Sequence, residues 1–119
     1  MNWYMAKIVY RIICGDGKHT PQFDEQLRLI EAEDSLHALH KAQSLGQNEQ
    51  DNFLNQEKAL VQWKFINVSE LYQVDRLNDG AELYSRIVED CDADNYVHIT
   101  NLKAAHLVDR HAGEFVNTI

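Results

Sequence analysis

Residues 3–14 constrain this chain more than any other stretch. They hold no glycine or proline before Gly15, and bulky or β-favouring side chains occupy both alternating faces. Tyr4, Ala6, Ile8, Tyr10 and Ile12 form one wholly apolar face. Trp3, Met5, Val9 and Ile13 form the other, interrupted by Lys7 and Arg11. A strand apolar on both faces belongs inside a sheet, with material packed above and below it. One cover is expected to be a helix. The stripe Trp3, Met5, Val9 and Ile13 is then expected to be covered by the last helix and tail, or by a second copy of the chain as a homodimer. Burying half of that stripe is worth several kcal/mol at ~25 cal/mol per Å². Leaving it wet would create an unusually large apolar patch.

The rest of the chain supplies the partners. Gly15, Asp16, Gly17 and Pro21 mark a turn, and residues 22–32 read as a second strand. There Phe23, Leu27 and Leu29 alternate with Asp24, Gln26 and Arg28, a half-buried pattern. Asp34 or Ser35 can cap a helix to about Leu45, whose buried stripe is Ala38, Leu39, Ala42 and Leu45. Gly46 fits a left-handed stop. Residues 47–58 are polar and amide-rich and read as a loop, with a short strand at Phe53 and Leu54. Residues 59–68 form a third strand carrying Val61, Trp63 and Phe65. The alternation changes phase between Asn67 and Glu70, as at a bulge, and residues 71–77 continue as strand.

Asp79-Gly80 is the strongest turn signal in the chain. As a two-residue type I′ loop it sets Tyr72 opposite Ile87, Val74 opposite Ser85, Gln73 opposite Arg86 and Asp75 opposite Tyr84. The first two pairs would face the core. Gln73, Asp75, Tyr84 and Arg86 would share a polar sheet face, a candidate binding surface, since Arg and Tyr combine large contact area with fixed polar geometry. Tyr96 to Ile99 read as a short apolar run, and Thr100 or Asn101 as the cap of a last helix over 102–111 ended by Gly113. The fold class is therefore α+β, order ββαββα. A mainly antiparallel sheet of four or five strands carries one main helix on one face, with a C-terminal helix.

Several quoted segments, taken in order, are familiar. The chain opens Trp3-Tyr4-Met5-Ala6-Lys7, and Leu29-Ile30-Glu31-Ala32-Glu33 leads into a helix holding Ala38 and Ala42. Val61-Gln62-Trp63-Lys64-Phe65 follows, then Glu82-Leu83-Tyr84-Ser85-Arg86 after Asp79-Gly80. Over about residues 3–88 the chain resembles a small bacterial domain-of-unknown-function family, the one numbered 4288. The resemblance implies a bacterial origin and an α+β fold. It implies no catalytic residue.

Charge and length bound what such a chain does. At 119 residues and 13.8 kDa it is expected to form a single domain over 1–119. Its formal charge of −8 disfavours nucleic acid, because phosphate backbones attract basic surfaces. No apolar run approaches the ~20 residues of a membrane span, and the N-terminus does not read as a secretory signal. Cys14 and Cys91 read as unpaired thiols in a reducing cytoplasm.

No constellation of reactive groups survives the spacing tests. Asp90, Asp92 and Asp94 alternate as in a calcium loop, but Asn95 and Asn101 stand where the glycine and the bidentate glutamate belong. His37 and His40 are neighbours on one helix face and could hold zinc or nickel only if further ligands arrived from elsewhere. No serine sits in a nucleophile elbow, and Gly15-Asp16-Gly17-Lys18 leads into a strand where a phosphate cradle needs a helix. The expectation is a non-enzymatic binding or interaction module with no cofactor, no metal and an unknown protein partner. The alternative is a small metal-dependent enzyme using His37 and His40 with the turn at Asp90, Asp92 and Asp94. A third reading is an immunity or antitoxin-like protein that covers a basic effector.

Overall fold

The computed structural model describes residues 1–118, with side chains described through residue 112. Two compact units divide the chain, Met1–Ser85 and Arg86–Ile119. The elements run β1 (Asn2–Cys14), β2 (Gln22–Ala32), α1 (Ser35–Asn48), β3 (Asp51–Leu54), β4 (Leu60–Val74) and α2 (Ala93–Thr118). The class is α+β and the order is ββαββα. The first five elements make the first unit, and α2 belongs to the second.

The sheet is antiparallel throughout, in the order β2-β1-β4-β3. β1 is central, as a strand apolar on both faces has to be. Its even residues Tyr4, Ala6, Ile8 and Tyr10 are buried, and Ile8 is fully enclosed. Enclosing an isoleucine of this kind is worth roughly 1.5–3 kcal/mol. α1 lies over that face, where Ala38 and Ala42 meet Tyr4, Ala6, Ile30 and Ala32, flanked by Leu45, Val68 and Leu71. Alanines on the buried stripe let the helix backbone come close to the sheet.

α1 begins where its sequence says it should. Asp34 is extended at φ −151°, and its carboxylate accepts the His37 N–H at 2.8 Å. The helix does not stop at Gly46, which lies buried inside its last turn. A Cβ there would overlap the Phe65 ring, at 2.6 Å from one edge carbon and 3.1 Å from Cζ. Gly46 is thus set by close packing rather than by a left-handed cap.

β4 differs from expectation in a way that has a physical cause. The stretches read as a third and a fourth strand form one element of 15 residues, carried through the phase change by two register shifts against β1. Lys7 pairs with Glu70 but Ile8 with Val68, and Val9 pairs with Asn67 but Tyr10 with Phe65. Each shift adds one residue to β4, so Leu71, Val68 and Phe65, three apart, lie opposite Ala6, Ile8 and Tyr10 and all reach the helix side. The polar segment before β4 builds β3 and a tight hairpin. Asn55 organises it: its side-chain oxygen accepts the N–H groups of Glu57 and Ala59 at 2.9 and 3.0 Å.

The hairpin expected around Asp79-Gly80 does not form. A type I′ turn needs positive φ at both central residues. Only Gly80 has it, at +84°, while Asp79 does not. The Ala81 N–H still donates to the Asn78 carbonyl at 3.0 Å, so a turn closes, but residues 81–90 are not a strand. Tyr72 does not face Ile87, nor Gln73 Arg86, nor Asp75 Tyr84 in a ladder.

β2 also presents its faces the other way round from the half-buried pattern expected of it. The register sets Arg28 beside Ala6 and Asp24 beside Tyr10, on the helix side. Phe23, Leu27 and Leu29 therefore face outward, at 55%, 49% and 48% exposure. The inward polar residues form a hydrogen-bonded rail. Trp63 Nε1 donates to Asp24 at 3.1 Å, Gln26 donates to the same oxygen at 2.7 Å, and Arg28 donates to Gln26 at 3.1 Å. Arg28 then grips Glu49 at the end of α1 with two bonds of 2.6 and 3.0 Å. That guanidinium holds the Glu49 carboxyl below its usual range.

The second unit is α2 with the residues leading into it. It starts at Ala93, well before the expected cap at Thr100 or Asn101, because Asp92 Oδ1 accepts the Asn95 N–H at 3.0 Å. The run Tyr96 to Ile99 is helical, and the helix passes through Gly113 to Thr118. Tyr96, Val97, Leu107 and Val108 fall on one stripe of it.

Candidate binding groove

Beyond Val74 the chain leaves the sheet, turns at Asn78–Ala81 and comes back beside the end of β4. The return encloses an open groove of about 390 Å³. Tyr72, Gln73, Asp75, Arg76, Asn78 and Tyr84 line it, among others. Its aromatic wall is an edge-to-face pair, Tyr72 and Tyr84, with ring centroids 5.3 Å apart at 73°. Such pairs prefer this geometry because the positive ring edge meets the negative face.

The outer face of the sheet supports that wall. Tyr72 stands opposite Met5 in the β1–β4 register, and Met5 is buried at 5% exposure. Trp3, Val9 and Ile13 of the same stripe are only half-buried. Next to Met5, Lys7 lies between Glu70 at 2.9 Å and Glu25 at 3.6 Å. The hydrogen bond to Glu70, with both carboxylates' charges, raises the Lys7 pKa above its ordinary value. Burial raises the Tyr72 hydroxyl above its own, and hydrogen bonding to Glu70 adds to the shift. The wall of the groove is therefore a protonated phenol backed by a fixed ion pair.

Of the surface read from the sequence, Gln73, Asp75 and Tyr84 meet in this groove, and Arg86 belongs to the other unit. They meet by a route the sequence did not indicate, through a return loop rather than a strand ladder. Tyr72 and Arg76 were missed. The expected hairpin register sends Tyr72 to the core with Val74, whereas the pairing with β1 sets both opposite Met5 and Trp3, on the face away from α1.

The histidines and acidic residues have local employment. His37 Nδ1 accepts the Glu33 N–H at 3.2 Å, which secures the entry to α1. His40 borders a shallow depression beside the bulged middle of β4. Asp90 accepts the Asp92 N–H at 2.8 Å, and Asp92 caps α2. Among the described residues of either unit, no three His, Cys, Asp or Glu side chains are grouped to hold a metal ion. Cys14 and Cys91 are unpaired. No helix among the described residues is long and apolar enough to cross a membrane.

These features define an α+β domain: a four-stranded antiparallel sheet, one helix on one face, and a groove at the end of its longest strand. The chain belongs to the family described as Domain of unknown function (DUF4288), which matches residues 3–85. No curated protein and no solved structure matches it.

Proposed function

We propose that this chain is a non-enzymatic interaction module of a bacterial cytoplasm, and that its groove takes a polar peptide segment of a partner protein. The observation that carries this reading is the convergence of Gln73, Asp75 and Tyr84 on one groove walled by two tyrosines. Tyrosine, an amide and groups of both charges suit a backbone-rich, polar ligand, and buried aromatic anchors dominate such contacts. The overall charge of −8 favours a basic partner through long-range attraction. The family resemblance supports the bacterial origin, and two unpaired cysteines fit a reducing compartment.

Isotope-labelled protein titrated with a panel of short basic peptides tests the reading. Amide shifts are expected to cluster at Gln73, Asp75 and Tyr84. Tyr84→Ala is expected to weaken binding by about tenfold or more while the rest of the spectrum holds. Shifts elsewhere, or affinity unmoved by Tyr84→Ala, would refute the groove.

A further inference from the structure

β2 is an edge strand guarded by its charged residues alone, Asp24, Glu25, Arg28 and Glu31. It pairs with β1 on one side only. Its register runs from Asn2↔Ala32 to Ile12↔Gln22 without a shift, so no bulge turns the edge away. It contains no lysine, proline or glycine. Its outward face holds Phe23, Leu27 and Leu29, each about half exposed, together with Glu25 and Glu31. Backbone N–H and C=O groups along its free side have no ladder partner, and a long, unbulged edge of this kind is a template for a strand whose charges complement its own.

We infer that β2 pairs antiparallel with β2 of a second copy of this chain, about a two-fold axis at Gln26, joining two four-stranded sheets into one. This pairing is independent of the groove and of its ligand. The register follows from charge. With Gln26 on the axis, Asp24 faces Arg28 of the other copy twice, on the helix side, and Phe23 faces Leu29 of the other copy twice, on the outer side. Opposite charges and apolar pairs set directly across strands each stabilise the ladder. The neighbouring registers lose this. An axis at Glu25 opposes two glutamates, and one at Arg28 opposes two arginines. An axis at Leu27 sets Asp24 against Ile30 and so loses the opposite-charge pair, whereas the axis at Gln26 keeps it at the cost of setting Glu25 against Leu27.

A charge swap reads the pairing directly. In sedimentation at high micromolar concentration the unsubstituted chain of 119 residues is expected to be a dimer. Asp24→Arg alone sets two arginine pairs across the axis, and Arg28→Asp alone sets two aspartate pairs. Each is expected to dissociate about tenfold more readily. Mixed together, the two variants restore both opposite-charge contacts and are expected to form a heterodimer. Leu29→Glu, on the exposed face and outside the polar rail, is expected to weaken the dimer while far-UV circular dichroism stays native. A monomeric wild type overturns the inference. So does a dimer that survives Leu29→Glu and both charge variants, or a mixture that stays monomeric.

Discussion

At the scale of single residues, one missing methyl group sets how closely α1 lies on the sheet. Gly46 is buried against Phe65, and its carbonyl accepts the Tyr10 hydroxyl at 2.8 Å. Phe65 and Tyr10 are themselves in edge contact, with centroids 6.0 Å apart. Burial raises the Tyr10 pKa, and the hydroxyl's bond to the helix backbone keeps its polar end satisfied. Two effects compete when Gly46 becomes alanine. Helix propensity favours the change by about 1 kcal/mol. Overlap with a ring that Tyr10 holds in place opposes it by roughly 1–3 kcal/mol. The overlap is expected to win, so Gly46→Ala lowers stability by about 1 kcal/mol net. Urea unfolding measures this, and a raised midpoint would show that Phe65 swings aside freely. A glycine at the end of an apolar stripe reads as a stop in sequence, because a close approach from a residue far along the chain leaves no local mark.

At the scale of elements, what is legible is what local rules decide alone. β1 and β2 are bounded by their turn residues, and α1 by the Asp34 cap and its alanine stripe, so all three stand close to where the pattern puts them. α2 shows the limit. Val97, Ile99 and Thr100 are β-branched and suggest a strand, yet Asp92 starts a helix ahead of them. The cap is worth about 1 kcal/mol, comparable with the propensity it overcomes. Asp92→Ala is therefore expected to fray the first turn of α2, and loss of the helical carbon shifts of residues 93–97 measures it. Unchanged shifts would mean that the apolar stripe alone fixes the helix start. The groove was half legible for a similar reason. Gln73, Asp75 and Tyr84 flank one turn, and any closure of that turn brings them near each other. Whether it closes as a ladder or a loop depends on φ at Asp79, which the sequence leaves open. The outward face of β2 was illegible too, since alternation shows two faces but only the register with β1 says which one meets the helix.

At the scale of the whole molecule, the core and the groove both fall within one part of the chain. Among the residues whose side chains are described, every buried apolar one, from Tyr4 to Val74, belongs to the unit Met1–Ser85. The groove is lined within that unit, and the family match ends at the residue where the unit does. A segment of this size buries enough surface to fold without a disulfide or metal. Its entropic cost is met by the sheet, by α1 and by the polar rail that ties Trp63 to Glu49. Residues 1–85 expressed alone are therefore expected to fold cooperatively, with a single thermal transition. The near-ultraviolet signals of Trp3 and Trp63 should be retained in that fragment, and so should any shift on binding at Tyr84. Thermal melting of the fragment beside the full chain decides the matter. A broad, uncooperative melt or loss of the tryptophan signals would show that residues 86–119 supply part of the core, and would reunite the two units as one folding domain.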